Sequence, residues 1–366
     1  TGKTTLIRAI ITAAEQNGLE PALMAPTGRA AKRLAISSGR DADTIHKALE
    51  ASVRETGRTY FERNEANPLE EDLIIVDEAS MLDISLFYHL LCALKDGARL
   101  ILVGDIDQLP PVGAGEPLKD LMSWGYVPIV RLKRIFRQEE GSGIVENAAL
   151  IRKGEMCVPD EAGEFRIVYA ADDEDAYRIV MDLCRELNYG NEENKMLLQV
   201  LSPMYRGVCG VDHLNESLQE MIHGEKVPDG MKFFPGDKVM QTRNDYEKGI
   251  YNGDVGTVWT ATPQKVFVHY FDKEVVYEGE ERFDLRLAYA VTVHKSQGSE
   301  YETVIFILRP SQHNMLQRNL LYTGVTRARK NTILVTAPDA LRRALAIQHT
   351  GNRYSLFLPF LNHEAL

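Results

Sequence analysis

Short apolar runs that end on polar residues constrain the fold of this chain more than any other feature. Residues 73–76 are Leu-Ile-Ile-Val, and Asp77 and Glu78 follow them directly. Residues 22–25 and 100–103 are apolar runs of the same length. Helical patterns lie between these runs, and such an alternation is typical of a parallel, doubly wound sheet. We therefore predict an α/β fold with a parallel sheet in the first half of the chain.

Polar residues follow three of the predicted strands at the point where each strand would end. These residues are Thr27, Asp77, Glu78, Gly104 and Asp105. In open parallel sheets, ligands bind beyond the carboxyl ends of the strands. We therefore expect these residues to belong to one site.

A Gly-Lys-Thr sequence at the start of the chain has the form of the closing half of a phosphate loop. In such loops backbone N–H groups hold phosphates, Lys3 would reach the terminal ones, and the Thr4 hydroxyl would bind magnesium. Gly2 and Thr5 complete the predicted ATP contacts. The tripeptide alone is a weak signal, because an ordinary helix start looks the same.

The acidic pair after residues 73–76 strengthens the prediction of an ATP site. One carboxylate at the end of a buried strand can hold magnesium, and a second can orient the attacking water. We predict that Asp77 binds Mg²⁺ with Thr4 and that Glu78 activates water; solvated turn residues are the alternative. Because the chain opens inside the loop motif, we expect a fragment of a longer protein that binds ATP poorly by itself.

Composition excludes several classes of protein. The 366 residues are 44% hydrophobic and 26% charged, which suits two or three domains with separate cores. No apolar run approaches the length of a membrane span, so we expect a cytoplasmic protein without a membrane partner. The four cysteines form no Cys-x-x-Cys pair, which argues against zinc. With a net charge of −11, any nucleic-acid contact must be a local groove.

Seven ordered motifs resemble those of superfamily 1 helicases. The most similar branch is RecD-like and is related to the exodeoxyribonuclease V alpha subunit, with roles in DNA repair and recombination. The motifs lie at residues 25–31, 44–46, 77–81, 104–113, 134–138, 291–300 and 322–328. The resemblance implies two RecA-like parallel-sheet domains that hydrolyse ATP, with Mg²⁺, in the cleft between them.

The resemblance also implies roles for residues outside the phosphate loop. Gln108 would sense the terminal phosphate, although it could instead complete the turn before Pro110. Arg137 and Arg327 would stabilise charge on the γ-phosphate, with Arg134 as the rival of Arg137. Glu300 would contact the nucleotide sugar, and a structural role for it remains open.

The expected partners are single-stranded DNA and duplex junctions. The resemblance implies 5′ to 3′ movement, whereas an RNA substrate remains open. No cluster of carboxylates typical of a nuclease is apparent in the sequence, so we expect no nuclease activity, and we expect a monomeric protein. Hydroxyls and N–H groups can bind backbone phosphates without a large positive charge. The predicted strand-binding residues are Pro26, Thr27, Thr44, His46, Thr292 and His294.

The domain organisation follows from the same patterns. We predict a first RecA-like domain at 1–150, with a hairpin-like insert at about 51–68 that splits the duplex in relatives. A second is predicted at 151–366, and short alternating strands at 235–286 predict an SH3-like β-barrel inserted in it. Acidic residues 171–175 and the run 188–194 are expected to be exposed loops.

Two other function classes compete with a translocating helicase. A nucleotide-gated module would grip DNA or a partner without unwinding, and it would lack strand-stimulated ATP turnover. A P-loop ATPase without a nucleic-acid partner would leave residues 25–31 and 291–299 without a role.

Overall fold

The computed structural model describes residues 2–53, 59–132, 142–228, 230–245, 247–271, 273–348 and 357–362. They form two compact units, one from 2–132 together with 357–362 and one from 142–348. Within these ranges, no helix combines the length and apolar character that a bilayer crossing requires.

A parallel sheet flanked by helices forms the first unit. Its elements are α1 (Lys3–Gln16), β1 (Pro21–Ala25), α2 (Gly28–Ser38), β2 (Asp43–Thr44), α3 (Ile45–Ala48), β3 (Ala51–Val53), β4 (Thr59–Phe61), β5 (Leu73–Val76), α4 (Ile84–Cys92), β6 (Arg99–Leu102) and α5 (Pro117–Trp124). The strand order is β2-β1-β5-β6, and every pairing is parallel. Strands β3 and β4 pair separately as an antiparallel hairpin.

The apolar strand β5 lies in the middle of two packed layers. Leu73 and Ile75 pack on the face that α1 covers. Ile74 and Val76 point to the opposite face, where they join the core that includes α4. All four side chains are buried, as expected for an interior strand of a parallel sheet. The predicted doubly wound arrangement is confirmed.

The second unit contains a parallel sheet and an antiparallel insertion. Its elements are α6 (Gly143–Lys153), β7 (Phe165–Tyr169), α7 (Asp173–Glu186), α8 (Glu192–Leu197), β8 (Leu198–Ser202), α9 (Val211–His223), β9 (Lys238–Gln241), β10 (Val255–Ala261), β11 (Lys265–His269), β12 (Glu274–Glu278), β13 (Leu285–Leu287), β14 (Ala290–Thr292), β15 (Tyr301–Leu308), α10 (Arg318–Val325), β16 (Ala328–Thr336) and α11 (Pro338–Ala346). The parallel sheet has the order β14-β8-β15-β16-β7. The last helix of the chain, α12 (Phe357–Leu361), belongs to the first unit.

The predicted barrel is present between α9 and β14. Its antiparallel strands have the order β12-β11-β10-β9-β13, and alternate residues of β11 and β12 are buried in a core of their own. Tyr270 lies in this core with its hydroxyl 2.7 Å from that of Tyr277. Trp259 is exposed on the outer face. Buried and solvent-facing side chains therefore alternate along β11 and β12, as the sequence pattern predicted.

The boundary between the units differs from the expected position at residue 150. Helix α6 packs against α10 and β16 of the second unit, with Ile144 and Ile151 buried. The Ser142 hydroxyl donates to Glu164 at 2.6 Å, which fixes the start of α6 to that unit. Helix α12 instead packs on α5 of the first unit, where the Trp124 indole N–H donates to the Leu361 carbonyl. The sequence led us to expect that the second domain runs to residue 366. Residues 357–362 instead belong to the first unit.

The prediction of exposed loops at 171–175 and 188–194 was only partly correct, because α7 begins at Asp173 and α8 at Glu192. Asp172 is the N-cap of α7 and accepts the Asp175 N–H, and acidic residues fill the first turn of this helix. Asn191 caps α8 in the same way. Negative charge is favourable at a helix N-terminus, so these polar runs start helices.

Candidate functional site

The N-terminus of α1 has the geometry of a phosphate-binding helix start. Gly2 precedes the helix with φ of 75°, in the left-handed region that favours glycine. Lys3 and Thr4 are half-buried, whereas Thr5 is exposed. The first N–H groups of a helix lack intrahelical partners and attract anions. The predicted loop residues therefore occupy a helix end that suits phosphate.

Asp77 lies directly after β5 and is nearly buried, with 6% of its surface exposed. Burial raises the pKa of the Asp77 carboxyl, and the neighbouring Glu78 raises it further. The backbone N–H of Glu78 and the charges of Lys3 and Arg33 act in the opposite direction on this pKa. The fold therefore brings the predicted phosphate lysine and the predicted magnesium carboxylate together.

Glu78 is held in an unusual backbone conformation. Its φ of 52° lies in the left-handed region, which costs energy for a residue other than glycine. One carboxylate oxygen, Oε1, lies 3.3 Å from Nη2 of Arg33. The other oxygen, Oε2, is buried and has no hydrogen-bond partner among the described residues. One oxygen is thus oriented by a cation, while the second is left to accept a proton or a water.

The ends of β5 and β6 approach each other closely. The Ala79 N–H donates to the Val103 carbonyl at 2.8 Å. A Cβ atom on Gly104 would lie 2.9 Å from the backbone nitrogen of Ser80 and 2.5 Å from a methyl group of Leu118. Only glycine fits at residue 104 without a shift of the backbone that follows Glu78.

Gln108 is buried within a turn after β6. Its side-chain amide donates to Asp105 Oδ2 at 3.3 Å, and its backbone N–H donates to the Asp105 carbonyl. Asp105 also accepts the N–H of Asp107. These contacts are those of the turn alternative, so the role of Gln108 as a phosphate sensor stays a prediction.

Thr27 and Thr44 start helices at the carboxyl ends of neighbouring strands. The Thr27 hydroxyl accepts the N–H of Ala30 at the start of α2, after Pro26. The Thr44 hydroxyl accepts the N–H of Lys47 at the start of α3. A threonine hydroxyl that accepts one bond keeps its own hydrogen to donate. Both capping hydroxyls could therefore still bind a backbone phosphate.

His46 lies on α3, and its ring packs close to that of Phe61 on β4. Its ring centroid lies 5.9 Å from that of Phe61, and Phe61 lies 4.5 Å from His89. Burial lowers the pKa of His46, although the nearby Asp83 carboxylate opposes this effect. A neutral ring at pH 7 fits these apolar surroundings.

Thr292 and His294 follow β14 in the second unit. Thr292 is buried, and its hydroxyl accepts the N–H of Lys295 at 3.2 Å. His294 is half-buried in a short 3-10 helix over His294–Ser296. The Lys295 ammonium donates to Asn252 of the barrel at 2.7 Å. The second unit thus places a capping hydroxyl and a histidine together at a strand end.

Arg327 is buried inside the second unit, with 3% of its surface exposed. Its guanidinium donates to the carbonyls of Thr323 and Ser299 at 3.2 and 3.1 Å. Glu300 lies next to this contact, 4.0 Å from the exposed Arg329. Arg137 and its rival Arg134 lie outside the described residues.

The donor atoms at the end of β5 fit a magnesium ion. Mg²⁺ prefers oxygen ligands, keeps several waters, and is commonly held by one or two carboxylates together with substrate phosphates. Asp77 and Thr4 would supply a carboxylate and a hydroxyl. Glu78 Oε2 is a buried acceptor without a hydrogen-bond donor among the described residues, so it could accept a bond from a water near the ion. Across the described ranges, no cluster of three His, Cys, Asp or Glu forms a metal site made of protein alone.

Three functional candidates were missed by sequence reasoning. Arg33 contacts Glu78 although 45 residues separate them. The ring of Phe61 packs against those of His46 and His89, although each of the three comes from a different element. No local signal pairs Arg33 with Glu78 or Phe61 with His89, because both contacts depend on the tertiary fold.

Three family models match the chain. A model described as an AAA domain matches residues 1–166. The SH3 domain of ATP-dependent RecD-like DNA helicases matches 214–270, and the C-terminal domain of UvrD-like helicases matches 287–335. The order of these matches agrees with the sheet, barrel and sheet of the structure.

Curated relatives cover nearly the whole chain. The ATP-dependent RecD2 DNA helicase of Deinococcus radiodurans is 38% identical over 360 residues, which are 97% of this chain and 48% of that protein. The RecBCD enzyme subunit RecD of Mycolicibacterium smegmatis is 33% identical over 399 residues, covering 97% of this chain and 71% of that protein. The chain therefore spans about half of the first relative and about seven tenths of the second.

Solved structures show the same fold. A Pif1 helicase from Bacteroides, in complex with ADP-AlF₃ and single-stranded DNA, has a TM-score of 0.59 at 20% identity and covers 99% of this chain and 90% of its own. A Pif1 helicase structure that addresses DNA unwinding at forked duplexes has a TM-score of 0.55 at 22% identity, covering 91% of this chain and 85% of its own. At these identities the likeness concerns architecture alone.

Proposed function

We propose, from the premise that this chain belongs to the RecD family, that it is the motor region of an ATP-dependent DNA helicase. The observation that supports this best is the pair of buried carboxylates, Asp77 and Glu78, that follows β5, where the charge of Lys3 lowers the pKa of Asp77. A lysine at a helix N-terminus beside two buried carboxylates suits hydrolysis of a nucleoside triphosphate. The whole protein's substrates and partners are part of this proposal, because the chain spans only part of its relatives.

The phosphate end of ATP would lie against the start of α1. Lys3 would neutralise charge on the terminal phosphates, and the backbone N–H groups after Gly2 would donate hydrogen bonds to the remaining phosphate oxygens. Asp77 and Thr4 would hold Mg²⁺, which neutralises charge on the transferred phosphoryl group when it is bound. Burial raises the pKa of Asp77, and a nearby positive charge would lower it again. Binding of Mg²⁺ would therefore favour the ionised carboxylate.

Glu78 would orient and deprotonate the attacking water. Its Oε2 atom is buried without a partner in the described part of the chain, while Arg33 holds Oε1 in place. The left-handed backbone of Glu78 directs this carboxylate away from the usual course of a strand end. We assign Arg33 as a positioning residue for Glu78.

The remaining nucleotide contacts rest on family resemblance. Gln108 would sense the γ-phosphate, and Arg137 and Arg327 would stabilise transition-state charge. To take part, the Arg327 guanidinium would have to leave the carbonyls of Thr323 and Ser299. Glu300 stays a candidate for contact with the sugar.

Single-stranded DNA would be held mainly through hydroxyl and backbone donors. Thr27, Thr44 and Thr292 each stand at a strand end and retain a hydroxyl hydrogen for a phosphate. Pro26 and His46 of the first unit and His294 of the second are further candidates for contact with the strand. This mode of binding is compatible with a net charge of −11. The β3–β4 hairpin would separate the strands at a duplex junction.

The polarity, assembly and partners belong to the proposal as well. We expect 5′ to 3′ movement on DNA. The mycobacterial relative is named as a subunit of the RecBCD enzyme, whereas the Deinococcus relative is named as an ATP-dependent DNA helicase. We propose that this protein acts as a monomer.

ATP hydrolysis by the full-length gene product tests the proposed function. Wild type and Glu78→Gln are compared with and without single-stranded DNA, with Glu15→Gln as a control for a surface carboxylate that pairs with Arg40. We expect DNA to raise wild-type turnover at least tenfold. Loss of the catalytic base costs about 10²–10⁴-fold, so the Glu78→Gln variant should fall to background while Glu15→Gln does not.

Forked and tailed duplexes then separate the helicase from its rivals. Displacement that requires a 5′ tail supports the proposed polarity. Turnover that does not respond to DNA contradicts a DNA motor and leaves an unrelated ATPase. DNA binding that depends on ATP, without displacement of any fork, leaves a nucleotide-gated clamp.

A further inference from the structure

The base of the β3–β4 hairpin determines where the hairpin points. Ala51 pairs with Phe61 and Val53 with Thr59, so each leg contributes three residues to the ladder. An isolated two-stranded hairpin is marginally stable in water. The direction of this hairpin must therefore be fixed by the contacts that hold its base to the first unit.

The first leg is a direct continuation of helix α3. The N–H of Leu49 donates to the Ile45 carbonyl as the last helical bond. Glu50 then turns the chain in a left-handed conformation, with φ of 54°, and β3 begins at the next residue. Only two residues separate the helix that carries His46 from the hairpin, which leaves little freedom on this side.

The second leg is held by the ring of Phe61. This side chain is 7% exposed and belongs to the core between the sheet and α4. Its ring lies 5.9 Å from that of His46 on α3 and 4.5 Å from that of His89 on α4, centroid to centroid. Phe61 thus joins the returning leg to the same helix from which the first leg departs. The lowered pKa of His46, which follows mainly from burial, favours an uncharged ring in this contact.

Polar contacts at the base are weaker than this ring contact. Arg63 Nε lies 2.9 Å from Glu50 Oε1, but both side chains are partly exposed. Surface ion pairs of this kind contribute about 0–1 kcal/mol. The backbone N–H of Arg63 reaches the Leu49 carbonyl at 3.3 Å. Among these contacts of the second leg, the Phe61 ring is the one that lies in the core of the first unit.

We propose that Phe61 is a positioning residue for strand separation: its ring, held by His46 and His89, makes the hairpin and helix α3 move as one body. This inference rests on the proposed function, since the hairpin acts on duplex only in a helicase. His46 of α3 and Thr44, the N-cap of that helix, would bind the strand while the hairpin, fixed to the same helix, meets the junction at a constant distance. Loss of the ring would uncouple the hairpin from helix α3 without removing either element.

The test uses the full-length gene product and two readouts on each variant. These are ATP turnover on oligo(dT) and displacement of a fork that carries single-stranded arms of both polarities. For Phe61→Ala we expect turnover within about threefold of wild type and roughly tenfold fewer base pairs displaced per ATP. Phe61→Tyr keeps the ring and should restore the ratio. Tyr177→Ala, which removes a similar aromatic–histidine stack in the second unit, should not change it.

His89→Ala provides a second approach if Phe61→Ala does not fold. It removes the ring that lies 4.5 Å from that of Phe61, centroid to centroid. We expect a smaller fall in displacement per ATP than in Phe61→Ala. Equal losses of turnover and displacement in both variants would show that Phe61 serves only stability and would overturn the inference, as would an unchanged ratio. A wild-type protein that hydrolyses ATP but displaces no fork would instead overturn the helicase proposal, and this inference with it.

Discussion

The buried carboxyl of Asp77, which the proposed ATP hydrolysis requires, lowers the stability of the nucleotide-free protein. Burial raises the pKa of this group, because the charged form loses hydration next to Glu78. The unfolded chain therefore releases this proton at a lower pH than the folded protein does. Stability associated with Asp77 is present below the unfolded pKa and is lost as the pH rises through the folded pKa. At pH 7, which lies above the unfolded pKa, the raised pKa of Asp77 therefore weakens the nucleotide-free fold.

We predict that Asp77→Asn raises the melting temperature of the nucleotide-free protein at pH 7 while it abolishes ATP turnover. The amide keeps the shape of the side chain without the buried charge. Thermal melts from pH 7 down to about 4.5 should show the gain shrinking as the wild-type carboxyl takes up its proton. Asp72→Asn is the matched control, since the ammonium of Lys95 lowers the pKa of exposed Asp72. A gain of equal size in Asp72→Asn, or a lower melting temperature in Asp77→Asn, would contradict the prediction.

Sequence reasoning located single site residues only where a local pattern marked them. Asp77 and Glu78 were identified because they end an apolar run, and the structure places both at the expected strand end. Arg33 gave no such signal, because a cation on an amphipathic helix usually faces solvent. Its contact with Glu78 depends on how α2 packs against the sheet, and that packing is a property of the tertiary fold.

At the scale of elements, the close approach of the β5 and β6 ends shapes the site. We predict that Gly104→Ala lowers ATP turnover and the melting temperature together. The added Cβ would press on the backbone of Ser80, which cannot move aside as a flexible side chain can. Overpacking of this kind costs about 1–3 kcal/mol and would displace the segment that follows Glu78.

Gly97→Ala separates backbone strain from the effect on the site. Gly97 has φ of 82° before β6 and open space around its Cβ position, so alanine there is strained but touches nothing. We expect its free energy of unfolding to fall by about 1 kcal/mol, with a matching drop in melting temperature and without loss of turnover per folded molecule. Circular dichroism melts and steady-state ATP hydrolysis on both variants check this. Full turnover in Gly104→Ala would contradict the assigned role of the close approach.

Elements with a strong period were predictable, and those that depend on context were not. Strand β5 was predicted at its observed bounds because four consecutive apolar residues suit only a buried strand or core helix. Residues 171–175 were expected to form a loop, yet Asp172 caps α7. The same acidic residues suit both a solvated loop and a helix start, and only the following apolar face of α7 distinguishes the two.

At the scale of the whole molecule, the chain returns to its first unit after building the second. Helix α12 packs on α5, and the ring of Phe357 meets that of Phe87 edge-on at 5.8 Å. Sequence order alone assigned these last residues to the second domain. Nothing in the short apolar run of α12 says which core it completes, so this part of the fold was beyond prediction.

We predict that Phe357→Ala destabilises the first unit and leaves the second unchanged, although Phe357 follows the second unit in sequence. Loss of an aromatic pair and part of its buried area should cost about 1–2 kcal/mol. Hydrogen–deuterium exchange measures the two units separately, with peptides from β5 and β15 as reporters. The β5 amides should exchange faster in the variant by roughly five- to thirtyfold, whereas the β15 amides keep their wild-type rate. Phe360→Ala, on the same helix but 65% exposed, is the control and should alter neither. Faster exchange in β15, or none in β5, would mean that α12 does not stabilise the unit on which it packs, and the terminal helix would then be an appendage rather than part of the ATP-binding domain.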